Sequence, residues 1–286
     1  MTSLAQQWAN GTTQNDGVLF KLGSSGGMAP AACQRSCGGG GSSLVTFSGP
    51  GGGSAPYLAV TYLPGAGDSG FYTFYKHQID DQMGLAVNVA NGNLMVNAKD
   101  VSMPGVGLPL SIDRTYNSLA PALSDLGNGW TMSTGRDVSL QPLADGDVIL
   151  HDGTGYEAWF QAQPYNQTNP FLSPPGVDAT LTGSTSAGFT LTMNQTQEKC
   201  AFTGAGVLLS DTDRSGNKLT FNYNPNGTLA SIVDTQGRTT SVSYNAQGLI
   251  SQITDPAGRI SSYGYDANNN LTSYKDPDGY TTAFSY

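Results

Sequence analysis

Several short stretches of this 286-residue chain place residue types at spacings that chemistry uses. "GSSGG" at Gly23 to Gly27 fits G-x-S-x-G, the turn that exposes a serine nucleophile between a strand and a helix. A Gly/Ser tract offers neither element, so no activated serine is expected there. "GAGDSG" at Gly65 to Gly70 fits G-x-G-x-x-G and follows the strand-like "YLAVTY". The aromatic "FYTFYKHQ" comes next, where a dinucleotide site needs a helix N-terminus for the pyrophosphate. A linker is the expectation. Asp145, Asp147 and Asp152 gather around His151 in "ADGDVILHDGTG", and paired carboxylates are what glycoside hydrolysis requires. Asp-Gly pairs are also hairpin turns, which place carboxylates in water, where nothing raises the pKa of a general acid. "DANNN" matches the first positions of a calcium loop, but Leu271 stands where the sharp-turn glycine belongs and no Glu closes the loop.

The three cysteines add little chemistry. Cys33 and Cys37 flank "QRS" ahead of a glycine run, where a local disulfide or a pair of free thiols fits equally, and Cys200 stands alone. Zinc needs four ligands, and His77 and His151 lie far from the cysteines in sequence, so neither metal nor cofactor is expected. Charged residues make up 12% of the chain and its net charge is -9. Such a surface repels phosphate backbones and anionic membranes, which argues against nucleic acid as a partner. No run of 18 apolar residues exists to span a bilayer. The N-terminus lacks the basic start and apolar stretch of a signal peptide, so export would need a signal further upstream or another route.

The elements that would position any site come from a repeat. Gly216, Gly237, Gly258 and Gly279 recur every 21 residues, as do Tyr223, Tyr244, Tyr265 and Tyr286, and Asp213, Asp234, Asp255 and Asp276. Phe202 and Gly206 begin a degenerate copy one period earlier. A fixed period near 20 residues means stacked supersecondary units. Each unit reads as a hairpin. Phe221, Val242, Tyr263 and Phe284 share a column two residues before the tyrosines, which is the period of a strand covered on one face. "NPNG", "NAQG" and "DANN" supply turns, and "DTQG", "DPAG" and "DPDG" close the units. In the second strands Leu229, Ile250 and Leu271 are followed three residues later by Ile232, Ile253 and Tyr274. That spacing fits a bulge or a strand buried on both faces. The tyrosine column itself fits either a packed face joining neighbouring hairpins or a ladder on which sugar rings stack.

At these residues the chain resembles the RHS (YD-repeat) family, whose unit runs Tyr-Asp-x-x-Gly, an aliphatic strand, then Asp-x-x-Gly. "YDANNNLTSYKDPDG" and "YNAQGLISQITDPAG" match it, with Asn224 and Asn245 where the family prefers Asp. Upstream, Gly92 to Leu94, Leu108 to Leu110, Arg114 to Ser118 and Gly127 to Trp130 are similar, in order, to the region preceding the repeats in bacterial members. Residues 1–65, with Trp8, Asn15, Gly17 and Tyr57 to Tyr62, are similar to the end of a DNRLRE-type β-sandwich module. The resemblance implies a mainly β chain of antiparallel hairpin repeats that starts an RHS-type β-shell. It divides into a partial sandwich-like segment with a Gly/Ser-rich insert (1–65), a linker (66–84), a β-rich RHS N-terminal region (85–200) and the repeats (201–286).

What the family implies for function is a non-catalytic wall that encloses a C-terminal toxin or effector, in a secreted or cell-surface protein. Its partners would be further repeats and the effector of the same polypeptide. The family's self-cleaving protease motif has no match in this chain. An extracellular carbohydrate-binding or adhesion module is the alternative. In register, Phe284 and Tyr286 are core columns of a first strand whose partner strand is absent, so this last strand is expected to be an open edge or to be paired by another chain.

Overall fold

A computed structural model describes residues 66–286 of the chain, apart from residues 71, 121, 122, 164 and 167. The Cys33/Cys37 pair, the Gly23 to Gly27 motif and the sandwich-like segment lie outside the described residues. The described chain is almost wholly antiparallel β. Its first sheet contains β1 (Phe74–Gln78), β2 (Met83–Asn88), β3 (Leu94–Met103) and β4 (Leu110–Asn117). A small hairpin of β5 (Leu123–Ser124) and β6 (Gly127–Asn128) leads to β7 (Trp130–Met132), which completes the order β1-β2-β3-β4-β7. A second sheet holds β8 (Ser139–Pro142), β9 (Val148–His151), β10 (Glu157–Ala162) and β11 (Phe171–Leu172). Among the described residues no helix is long and apolar enough to cross a membrane.

The third sheet is the repeat array, with eleven strands in simple sequence order. It begins with β12 (Ala179–Ser184), β13 (Gly188–Met193), β14 (Lys199–Phe202) and β15 (Leu208–Thr212). It continues through β16 (Lys218–Tyr223), β17 (Leu229–Val233), β18 (Thr239–Tyr244) and β19 (Ile250–Thr254) to β20 (Ile260–Tyr265), β21 (Leu271–Lys275) and β22 (Thr281–Ala283). The structure adds a difference and a continuity. The stretch 66–84, expected as a linker, carries β1, and the sheet that holds the repeats begins at Ala179, inside the region expected to be β-rich. The difference has a plain cause: β1 is an edge strand whose last four residues face solvent, so it shows no apolar alternation.

Register settles the three-residue spacing of the second strands. Asn222 pairs with Ser231 but Tyr223 pairs with Leu229, so Ala230 is an extra, unpaired residue. Ser251 and Thr272 are the matching extra residues one and two units on, and Leu209 is their counterpart in the degenerate copy. A bulge in every unit therefore brings Leu229 and Ile232 to the same face as Tyr223 and Phe221. Both kinds of turn share one construction. The Asp234 amide donates to the Arg238 carbonyl at 2.9 Å, and the Gly237 amide returns to the Asp234 carbonyl at 3.0 Å. Gly237 sits at φ 77°, which L side chains disfavour, and Asn269 takes the same role at φ 65°.

One hydrophobic core joins the three sheets. Met103, Ile112 and Trp130 come from the first, Val148 and Phe160 from the second, and Phe221, Ile232, Ile253 and Tyr274 from the repeats, all buried together. The two smaller sheets thus cover the apolar face of part of the repeat array. β22 stands last in the sheet order, bonded to β21 alone among the described strands. The apolar side chains just beyond it are covered: Phe284 lies 5.2 Å from the Trp130 ring, and Tyr286 lies 5.7 Å from Tyr116.

Candidate functional site

The tyrosine column ties each hairpin to the one before it. The hydroxyls of Tyr223, Tyr244, Tyr265 and Tyr286 donate to the carbonyls of Leu208, Leu229, Ile250 and Leu271 at 2.8, 3.1, 2.7 and 3.0 Å. Each acceptor is the residue that precedes a bulge, where the ladder is interrupted and a carbonyl needs another donor. The rings of Tyr223, Tyr244 and Tyr265 pack on the core, and burial pushes the Tyr223 hydroxyl up to about 12. These rings therefore tie neighbouring hairpins of the array together.

The aspartate column builds the closing turns, and its fourth member departs from the others. Asp213, Asp234 and Asp255 each accept turn amides on Oδ1. Their second oxygen is held by the residue four positions on: Asn217 Nδ2 at 2.7 Å, Arg238 Nε at 2.6 Å and Arg259 Nε at 2.6 Å. Burial pushes Asp234 and Asp255 up, but the backbone and guanidinium hydrogen bonds outweigh it and hold both below the usual range. At Asp276 the corresponding residue is Tyr280. Its amide donates to Oδ1 at 2.8 Å, and Oδ2 has no protein partner among the described residues. The turns at Asn245 and Asp266 repeat the Oδ1 pattern, whereas in the Asn224 turn the Thr228 amide and hydroxyl donate to Asn226 Oδ1.

The carboxylates around His151 are engaged in their own loops. Asp145 accepts from the Asp147 amide and Asp147 from the Ala162 amide, while His151 lies between Glu157 Oε1 (3.3 Å) and Gln141 Oε1 (3.2 Å). Asp152 corrects the expectation that these groups all sit in water. Burial raises its pKa, although Oδ1 accepts from the Thr154 amide, the Thr154 hydroxyl and the Tyr156 amide. Those three bonds make it the staple of a turn.

The upstream motifs meet in two buried constellations. Asn93 Nδ2 donates to Asn117 Oδ1 at 2.8 Å, which also accepts the Gly67 amide, and Asn117 Nδ2 reaches the Thr154 carbonyl. The second constellation is a buried ion pair. Arg114 Nε lies 2.8 Å from both oxygens of Asp100, and each side chain is only 1% exposed. The Arg114 guanidinium carbon lies 4.3 Å from the Tyr274 ring centre, 5.0 Å from Trp130 and 5.3 Å from Phe284, so the charge rests among aromatic faces. Tyr263 donates its hydroxyl to Asp100 Oδ2 at 2.7 Å. Burial pushes the Asp100 carboxyl up against the pull of Arg114. Asp100 is the extra residue of a bulge in β3, which takes it out of strand alternation. Sequence periodicity gave no notice of it. One signal was present: Tyr263 and Tyr274 stand where the preceding units carry Val242 and Ile253.

Beside this pair a cleft of about 340 Å³ separates the Asp80–Gln82 turn from the Asp276–Tyr280 turn, with Lys99, Asp100, Arg114 and Tyr274 in its lining. Nη1 and Nη2 of Arg114 have no hydrogen-bond partner among the described residues. No group of three or more His, Cys, Asp or Glu placed to hold a metal occurs among the described residues. What the cleft can supply is hydrogen bonding and an exposed aromatic ring, since Tyr280 is 77% exposed.

Comparison with known families fits this division of the chain. A family model described as a domain of unknown function (DUF6531) matches residues 84–160, the region of the buried Asn and Arg motifs. The RHS Repeat model matches residues 223–260, 244–281 and 265–286, each match opening on a tyrosine of the ladder. No curated protein matches the chain. The repeat matches, the DUF6531 region ahead of them and the hairpin array with its tyrosine ties together place the chain in the RHS (YD-repeat) family.

Proposed function

We infer that this chain is a non-catalytic structural segment of an RHS-repeat protein, part of a β-shell that encloses or presents a C-terminal toxin or effector. The observation that carries the reading is the eleven-stranded array itself, in which the hydroxyls of Tyr223, Tyr244, Tyr265 and Tyr286 each fix one hairpin to the previous one. Such an array extends by adding units at its edge, and each new unit buries its apolar face against the last. The carboxylates that first suggested catalysis close turns instead. A secreted or cell-surface setting goes with this reading, as does a partner region within the same polypeptide.

The test is protease protection in the complete protein. The C-terminal segment should resist a broad protease while the wall is intact, and become cleavable when Tyr244→Ala and Tyr265→Ala loosen it. Equal cleavage with and without these substitutions would end the enclosure reading. A second reading, an extracellular carbohydrate-binding module, is favoured by the exposed Tyr280 ring on the wall of a polar cleft.

A further inference from the structure

The second sheet has two faces, and only one of them belongs to the core that joins the three sheets. Val148, Leu150, Ala158 and Phe160 point into that core, so Ile149 and Trp159, which alternate with them along β9 and β10, point the other way. Cross-strand pairing sets Gln141, Ile149 and Trp159 side by side on this outer face. An antiparallel sheet with one face on the core leaves its other face to water. Here it does not: Ile149 is only 7% exposed, although it stands outside the core cluster. The Trp159 indole N–H is buried too, and it has no acceptor among the described residues. An indole N–H withdrawn from water needs a partner such as a backbone carbonyl. The ring in the connection from β10 to β11 does not roof the face, since Tyr165 is 100% exposed.

The chain enters the described region beside this sheet. Ala66 is buried, the Gly67 amide donates to Asn117 Oδ1 at 2.8 Å, and the Asp68 amide donates to Thr154 Oγ1 at 2.9 Å. Gly67 is pressed so close that a Cβ on it would overlap the backbone of Tyr156, the residue before β10. From Tyr156 to Trp159 is roughly 10 Å along an extended strand, a distance that residues 63–65 can span. Just upstream, outside the described residues, stands "YLAVTYL" at 57–63, uncharged and strand-like, with Leu58, Val60 and Tyr62 recurring on one side. Tethered this near, it meets the face at an effective concentration that a free partner does not reach.

We propose that residues 57–63 lie extended across the outer face of the second sheet, with Leu58, Val60 and Tyr62 on Ile149 and Trp159 and a backbone carbonyl accepting from Trp159 Nε1. The surface would thereby join the chain upstream of Ala66 to the β-rich region ahead of the repeats. Two measurements on the full chain test it. In the first, p-benzoylphenylalanine placed at Gln141, beside Ile149, is irradiated and the cross-link is located by mass spectrometry; it should fall within residues 57–63 of the same molecule. In the second, hydrogen exchange of the Trp159 indole is followed by NMR, with its resonance assigned through Trp159→Phe. Leu58→Asp and Val60→Asp should each speed that exchange about tenfold or more, while Thr61→Asp, on the opposite side of the extended segment, should leave it within about twofold of the parent. The Trp130 indole, which donates to the Tyr286 hydroxyl at 2.7 Å, should not change in any of these variants.

Trp159 exchange that ignores Leu58→Asp and Val60→Asp, or responds equally to Thr61→Asp, overturns the proposal. A cross-link found only between two molecules shows a second copy on the face and overturns it, as does a cross-link to any other segment or none at all. Where a variant also quickens the Trp130 indole, the fold itself has opened, and the cross-link in the otherwise unaltered chain decides.

Discussion

Separating Asp100 from Arg114 should be among the most damaging single changes available to this chain. Asp100→Asn removes the charge that faces a guanidinium only 1% exposed, and leaves that cation with a neutral amide oxygen and ring faces. Breaking a buried pair in this way costs about 3–5 kcal/mol, because the remaining charge is uncompensated. The aromatic contacts, at about 0.5–2 kcal/mol each, are present before and after and do not offset the loss. Arg114→Met should cost less. The orphaned Asp100 keeps the Tyr263 hydroxyl, and with Arg114 gone burial raises its pKa further, so it takes up a proton rather than remain charged. Asp100→Asn in the Arg114→Met background should then add little. The cycle then gives a coupling close to the Asp100→Asn cost itself, about 3–5 kcal/mol, at or above the upper end of about 3 kcal/mol for residues in contact. Urea titrations at neutral pH, followed by the fluorescence of Trp130 beside the pair, supply the three differences. Since Arg114→Met leaves a carboxyl that protonates, its deficit should also shrink as pH falls. A coupling below about 0.5 kcal/mol, or a deficit that grows in acid, would refute the picture of a charge held by one partner.

Further outcomes follow from the hairpin array. Tyr244→Phe removes the hydroxyl that satisfies the Leu229 carbonyl and should cost about 1 kcal/mol in thermal or urea unfolding; an unchanged midpoint would show that water replaces it freely. Gly258 sits at φ 80° with open space around its Cβ direction, so only backbone strain is at stake. Gly258→Val should cost about 1–2 kcal/mol and Gly258→Asn distinctly less, since Asn269 already adopts this conformation; equal losses would contradict the strain argument. Burial first, then neighbouring acids, raise Asp137 and Asp211 from 3.8 to about 7. Their folded pKa exceeds the unfolded one, so the stabilisation is complete below about 4 and is lost as pH rises through about 7. Stability should therefore climb on acidification from pH 8 to 5, by up to about 1.4 kcal/mol per pH unit for Asp137 and less for the more exposed Asp211. Asp137→Asn should flatten the curve, and an unchanged slope would count against it.

The period, the hairpins and the identity of the turns were legible because each depends on local chemistry repeated in register. Asp or Asn at the first turn position and Gly at the left-handed one are demanded by the backbone itself, so they recur. The bulge was not decidable, since a three-residue spacing suits two arrangements and only pairing across strands distinguishes them. β1 and Asp100 were hidden for related reasons: an edge strand has no covered face to impose alternation, and a bulge removes a residue from it.

What the repeat hides at one position it discloses by comparison with the others. Residues conserved from unit to unit answer the requirement every unit shares, which is stacking on its neighbour. A residue that departs from its column cannot be answering that requirement, so it needs a local cause. Tyr263 and Tyr274, in place of aliphatic residues, meet Asp100 and Arg114 from another sheet. Cys200 and Asp211 stand opposite each other where later units set Phe221 against Ile232, and there the inner face carries an ionisable pair at the start of the array.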